Sequence, residues 1–393
     1  MSNEVVILSA KRTAIGTYLG AFKSVPATRL GSLAVSAALA EARLPESPAI
    51  DEVYVGNVLP ANEGQAPARQ VALGAGLAQD VPCTTVNKVC GSGLKAVMLA
   101  AQAIRAGDAE VVVAGGIESM SNVPYYLPGV REGLRLGDGK LIDGLVRDGL
   151  WDPYNDFHMG SAAELCAKEH GISREDQDAF AKESYERALG AQADGAFNDE
   201  ICAVETVVGK QRVAVVEDEE PKKGVISRFS SLRPVFDPSG TVTAANASSL
   251  NDGAAMLVVA SAQFAARHHL KPLARIIGYG GAAQAPEWFT TAPALAIEKT
   301  LQKLSLSTRD IDLFEINEAF SVVSIVNERL LKLDRSRVNV HGGAVSLGHP
   351  IGASGARILV TLLHAMRRRD AARGLASLCI GGGEAVAVVV ERM

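Results

Sequence analysis

Aromatic side chains make up only 5% of this 393-residue chain, so its 48% hydrophobic content comes chiefly from Ala, Val, Leu and Ile. Cysteine is equally sparse. Cys83, Cys90, Cys166, Cys202 and Cys379 are odd in number and scattered, which argues against a disulfide framework or a zinc site and fits a reducing compartment. Excess charge is missing too. A formal charge of −5 gives no electrostatic reason to expect nucleic acid as a partner. No apolar run is long enough to cross a bilayer, and the strand-like Val5-Val6-Ile7-Leu8 follows Met1–Glu4 directly. The reading is therefore a chain with no leader and no membrane partner, acting in the cytoplasm. Glycine is plentiful, but without a low-complexity tract or a collagen-like period. The short basic run Arg367-Arg368-Arg369 reads as a solvated helix end.

A chain of this length exceeds one ordinary domain. Short β-branched runs alternate with Ala-rich stretches of helical period. Strands are predicted at Val53–Val55, Val111–Ala114, Met256–Ala260, Ile311–Ile316, Ser377–Ile380 and Val386–Val390. Helices are predicted at Leu30–Ala42, Gly93–Arg105, Ala294–Leu304 and Ala353–Arg369. That alternation indicates an α/β fold with sheets covered on both faces.

Two parts of the chain also resemble each other. Ile50–Val55 pairs with Ile311–Ile316, Gly91-Ser92-Gly93 with Ala353-Ser354-Gly355, and Val113–Gly116 with Cys379–Gly382, all roughly 260 residues apart and in the same order. Duplication follows, against the plainer view that all α/β units look alike. Between the halves, 121–247 is rich in charged and turn residues, interrupted by an amphipathic helix at Arg174–Ala193. It reads as a loop domain covering the active site and contacting another subunit. The division expected is 1–120 for the first half, completed by about 248–272, and 273–393 for the second.

The chemistry-bearing residues sit in glycine-rich turns. Cys90 precedes Gly91-Ser92-Gly93 and a helical repeat, so unpaired N–H groups and the helix dipole favour its thiolate. Cys379 precedes Gly381-Gly382-Gly383, where a substrate can approach the backbone closely. His349 lies between glycines and before Pro350, which biases its backbone toward an extended form. Taken alone, Cys379 reads as a core residue between Leu378 and Ile380, and Asn317 as a helix N-cap. His341, in a similar turn, reads as structural.

Val89–Gly93, Asn317-Glu318-Ala319-Phe320, Gly348–Gly355 and Cys379–Gly383 together resemble the four signature blocks of the thiolases. The similarity runs along essentially the whole chain. It implies the thiolase fold: two duplicated βαβαβαββ halves stacked as a layered α/β/α/β/α core, with an inserted loop domain. Phe157-His158-Met159-Gly160 resembles the short-chain biosynthetic branch. The activity so implied is reversible Claisen condensation of two acetyl-CoA to acetoacetyl-CoA plus CoA.

The resemblance also implies roles. Cys90 would be the nucleophile, His349 its base, and Cys379 the base that deprotonates the second acetyl-CoA. Asn317 would hold a water that, with His349, stabilises the enolate, while the N–H groups of Cys90 and Gly381 form the other oxyanion hole. For CoA, a substrate rather than a retained cofactor, the implied contacts are Leu150, His158, Met159, Ala244, Ser248, Ala319 and Phe320, with Lys222 or Lys223 meeting the 3′-phosphate. No metal is expected. Pro221 stands where potassium-activated members show a tyrosine, which argues against such activation. Family analogy suggests a homo-oligomer, a tetramer before a dimer. The rivals are a ketoacyl synthase or other condensing enzyme, a degradative thiolase of broader chain length, and an idle binding scaffold.

Overall fold

The structure is a computed structural model, and it describes residues 4–45 and 50–393. Its organising element is one bent mixed sheet. The core strands are β1 (Val5–Thr13), β2 (Glu52–Gly56), β3 (Cys83–Val86), β4 (Val111–Ser119), β5 (Asn251–Ser261), β6 (Ala274–Ala283), β7 (Leu313–Ile316), β8 (Arg373–Ile380) and β9 (Glu384–Arg392). They lie in the order β7-β8-β9-β6-β1-β5-β4-β2-β3.

That order contains the duplication. In the first half, β1, β5, β4, β2 and β3 are neighbours, with β2 parallel to both β3 and β4 and the remaining pairs antiparallel. In the second half the run is β6, β9, β8, β7, and a parallel bridge from Phe314 to Val338 supplies the equivalent of β3. The same order and the same polarities recur, which alternation of α and β units alone would not produce. A short antiparallel contact, Val6 with Arg275 and Ile7 with Ala274, joins the halves.

The main helices are α1 (Ala27–Ala42), α2 (Ser92–Ala106), α3 (Met159–Glu169), α4 (Arg174–Ala193), α5 (Ala292–Lys303), α6 (Ser321–Leu331) and α7 (Ile351–Arg368). Successive strand side chains point to opposite faces. Val112 and Ala114 join the central core around α2 and α7, while Val111 and Val113 join an outer core under α1. A third core packs α5 on the outer face of β7–β9. The central core draws Leu257 from one half and Leu378 and Val388 from the other. Two helices sandwiched between halves of the sheet, with helices outside each, make the five layers. Every residue of α7 from Ile351 to Met366 is buried, and only Arg367–Arg369 emerge into solvent.

Glycines set the spacing at the centre. A Cβ on Gly93 would lie 2.9 Å from the Ala356 nitrogen, and one on Gly355 would lie 2.5 Å from that of Leu94. The duplicated glycines therefore let α2 and α7 touch backbone to backbone, which brings their N-terminal turns together. In the excursion, α4 starts on a capping box in which Ser173 and Asp176 each accept the other's N–H, and it buries Gln177, Phe180, Ala181, Ser184, Tyr185 and Ala188 at helical spacing. Among the described residues, no helix is long and apolar enough to cross a membrane.

Candidate active site

Where the two half-sheets meet above α2 and α7, a cavity of about 450 Å³ opens. Cys90, His349, Cys379 and Gly381 line it together, though they come from three separate turns. Each turn has a local cause.

Cys90 follows Val89, a β-branched residue held at φ +45°. That conformation persists only where surrounding bonds impose it. Here Asn87 Oδ1 accepts from the Val89 N–H at 2.9 Å, and Ser92 Oγ both accepts from the Lys88 N–H at 2.8 Å and donates to the Val89 carbonyl at 2.7 Å. The sulfur sits two residues ahead of α2, facing its own N–H and that of Gly381. Both N–H groups favour the thiolate, but burial outweighs them, and the thiol is pushed up to about 11. The helix-start expectation is thus corrected: enclosed by the second half, resting Cys90 is a protonated thiol.

Cys379 is the penultimate residue of β8, 1% exposed, just before the Gly381–Gly383 turn. Burial, then the charge of Cys90, raise its pKa well above the ordinary thiol value. Both sulfurs line the same cavity. Gly383, at φ +83°, has carbonyl oxygens of Gln284 and Ala285 within 2.6 Å of where a Cβ would be, so only glycine fits that turn. Lys88, beside Cys90, ion-pairs with Glu384 and ties the two sulfur-bearing turns to each other.

His349 is fixed at two points. Its backbone N–H donates to Asn251 Oδ1 at 2.8 Å, made possible by Gly348 at φ +103°, where a Cβ would come within 2.4 Å of the Asn251 side chain. Its Nδ1 lies 2.6 Å from Ser354 Oγ, and that hydroxyl donates to the Pro350 carbonyl at 2.9 Å. With its one proton committed, Ser354 accepts from Nδ1–H, which leaves Nε2 as the unprotonated nitrogen. Burial, then the Arg357 guanidinium, lower the pKa to about 3, so the imidazole is neutral at rest.

Asn317 follows β7. Its amide nitrogen lies 3.4 and 3.5 Å from the two ring nitrogens of His349, and its buried Oδ1 has no partner among the described residues. The N-cap reading does not hold: α6 begins at Ser321, with Phe320 in the N-cap position and no side-chain cap. Such a buried, unpaired oxygen is what a water-holding residue would present.

The cavity wall gathers most of the other expected contacts: Leu150, His158, Met159, Ser248, Ala319 and Phe320. His158 accepts from the Gly160 N–H through Nδ1 at 3.0 Å and stacks on Phe236 at 4.7 Å. Its proton is therefore on Nε2. Burial lowers its pKa, so the ring is neutral. Ser248 donates to the Ala319 carbonyl through both its N–H, at 3.0 Å, and Oγ, at 2.8 Å, pinning its loop to that of Asn317–Phe320.

Ala244, Lys222 and Lys223 are not in the wall. Ala244 is exposed in the preceding turn, and Lys222 is in an exposed ion pair with Glu217. Lys223 bonds to Thr17 Oγ1, next to Tyr18 on the cavity rim. His341 lies outside the cavity, edge-on to Phe197 at 5.9 Å. Three contributors escaped the sequence reading. Phe236 backs His158, Ser354 sets the His349 tautomer, and Glu118 is a buried carboxyl in contact with the α7 turn. Ser354 alone had a local signal, a serine five residues after the histidine in the first turn of a helix.

A cysteine-bearing elbow, a neutral imidazole with one unprotonated ring nitrogen and a second thiol, enclosed in one apolar cavity, are the groups that covalent acyl transfer requires. Residues 5–263 match the family described as thiolase, N-terminal domain, and residues 270–392 the one described as thiolase, C-terminal domain. The chain belongs to the thiolase family. It is 54% identical to an acetyl-CoA acetyltransferase of Schizosaccharomyces pombe over 100% of both chains, and 53% identical to one of Cupriavidus necator over 99% of both. Among solved structures, it resembles the acetyl-CoA acetyltransferase of Bacillus anthracis with a TM-score of 0.97 and 41% identity, covering 100% of this chain and 99% of that one. It also resembles a thiolase of Ascaris suum in complex with coenzyme A, with a TM-score of 0.94 and 45% identity, covering 99% and 100%.

Proposed function

We infer that this protein is an acetyl-CoA acetyltransferase that joins two acetyl-CoA into acetoacetyl-CoA and CoA, reversibly, through acetyl-Cys90. The observation that carries the reading is the convergence of Cys90, His349, Cys379 and Gly381 on one small cavity. A ketoacyl synthase is disfavoured, since such enzymes usually pair the cysteine with two histidines and here the third group is Cys379.

In the first half-reaction, Cys90 sulfur attacks the thioester carbonyl as His349 Nε2 takes its proton. The carbonyl oxygen develops charge toward the N–H groups of Cys90 and Gly381. As the carbon–sulfur bond to CoA breaks, Cys379 gives its proton to the departing sulfur and becomes a thiolate. Once acetylated, Cys90 can no longer ionise, so Cys379 becomes the thiolate without a second sulfur charge beside it. In the second half-reaction, Cys379 removes the α-proton of another acetyl-CoA. The enolate oxygen is met by the His349 imidazolium and by a water on Asn317. The α-carbon attacks acetyl-Cys90, the Cys90–acyl bond breaks, and His349 returns its proton to the sulfur. All three groups end as they began.

Leu150, His158, Met159, Ser248, Ala319 and Phe320 would enclose the acetyl group and pantetheine arm, with His158 Nε2–H as a donor. Lys223, near the rim, suits the 3′-phosphate better than Lys222, whose charge is engaged by Glu217. We read the assembly as a homotetramer: Leu134, Leu136 and Leu141 in the excursion are exposed and apolar, as an unpartnered contact surface would be. Five free cysteines are compatible with the cytoplasm. Thiolysis of acetoacetyl-CoA by CoA, with label transfer from acetyl-CoA to Cys90, tests the function. Label that persists in C90A overturns the nucleophile assignment.

A further inference from the structure

The Cys90 turn belongs to the first half of the chain and the His349 turn to the second, and one buried carboxylate touches the support of both. Glu118, near the end of β4, has no exposed surface. Its Oε2 accepts from the Gly352 N–H at 2.9 Å and the Val58 N–H at 3.1 Å. Its Oε1 accepts from Asn57 Nδ2 at 2.9 Å and the Leu59 N–H at 3.2 Å.

We propose that Glu118 is a positioning residue that sets the Cys90 sulfur and the His349 imidazole in register across the junction between the halves. Gly352 is in the first turn of α7, where an N–H lacks an intrahelical acceptor and a negative charge is favoured. The same turn carries Ser354, which holds His349 Nδ1. On the other side, the Val58 carbonyl accepts from Asn87 Nδ2 at 3.4 Å, and Asn87 Oδ1 holds the Val89 N–H that shapes the Cys90 elbow. Hydrogen bonds joined by short stretches of backbone thus connect the supports of base and nucleophile through one carboxylate. The packing admits little slack: a Cβ on Gly116 would lie 2.1 Å from the Gly352 carbonyl oxygen, and one on Gly352 would lie 2.4 Å from that of Ile117. Burial, then the nearby Glu63, push the Glu118 carboxyl up to about 8, yet all four partners are N–H donors, a set that only the ionised form satisfies in full.

The inference rests on Cys90 and His349 having the roles proposed above. Its test is a double-mutant cycle read in single-turnover acetylation of Cys90 by labelled acetyl-CoA. E118Q keeps the volume but turns one acceptor into a donor facing N–H groups. Acetylation should slow about 100-fold, as expected when reacting groups are displaced on the order of 1 Å, while KM for acetyl-CoA stays within about threefold. In an H349A background the same change should cost less than about threefold, because the residue it aligns is gone. An E118Q rate within about threefold of the parent overturns the proposal, and so does a loss carried over in full to the H349A background. Should E118Q not fold, N57A, which keeps the carboxylate but removes one donor, enters the same cycle. A loss of about tenfold that vanishes without His349 supports the role, and an unchanged rate overturns it. A parent enzyme that never labels Cys90 sinks the underlying reading instead, which keeps the two failures apart.

Discussion

Replacing Ser354 with alanine removes one oxygen atom that neither touches substrate nor lines the cavity, so any kinetic effect must pass through His349. The serine is fully buried, and its hydroxyl is 2.6 Å from Nδ1. Without it, a buried N–H is left unpaired, at a cost of about 1–3 kcal/mol. In the acetylation transition state the imidazole gains charge, and hydrogen bonds to charged groups are roughly twice as strong as neutral ones. The differential loss therefore falls near about 2 kcal/mol, or roughly 30-fold in rate. Loss of the bond also frees the ring to place its proton on Nε2, which adds to the defect. Quenched-flow measurement of Cys90 labelling should give a slower rate constant with little change in acetyl-CoA affinity. A rate within about threefold of the parent would refute the tautomer argument, and with it the claim that Nε2 is the base.

Other consequences follow from neighbouring features. Alkylation of Cys90 by iodoacetamide should keep rising with pH toward about 11, because the thiolate is the reacting form and burial disfavours it; a plateau below the ordinary thiol pKa would show that the helix start dominates after all. M159A removes side-chain bulk from the cavity wall, so kcat/KM for a ten-carbon 3-ketoacyl-CoA relative to the four-carbon substrate should rise about tenfold or more, by the usual scale for apolar pocket contacts. An unchanged ratio would locate the chain-length limit elsewhere. G383A forces a left-handed residue against two carbonyl oxygens and should cost about 2 kcal/mol or more of stability in denaturant unfolding; a loss below about 0.5 kcal/mol would mean the turn can relax.

How much of this was legible beforehand depended on how local each cause is. The strands around Val53–Val55 and Val386–Val390 announced themselves by β-branched runs, and Arg174–Ala193 by its period, because those signals lie within the segment itself. The duplication was readable since Gly93 and Gly355 serve the same helix contact, and it reappears in the strand order. The gathering of Cys90, His349 and Cys379 could be expected from the family's motifs but from no spacing in the chain. Protonation states were not legible. Helix-start logic spoke for a Cys90 thiolate, whereas enclosure by the second half, a tertiary fact, sets the balance the other way. Asn317 looked like a cap because the helix boundary, four residues later, left no trace in sequence. Glu118 stood in a strand of small and apolar residues with nothing to mark its four donors, three of which lie about 60 residues upstream.

The central claim is that two sulfurs and one imidazole act in sequence on a single acyl group. Its most direct test is C379A incubated with acetyl-CoA and analysed by peptide mass spectrometry alongside product detection. The account predicts one acetyl group, on Cys90, formed more slowly than in the parent because the departing CoA sulfur has lost its proton donor, and released by added CoA, with no acetoacetyl-CoA produced. Condensation at the parental rate by C379A, or an acetyl group on any residue other than Cys90, would contradict it.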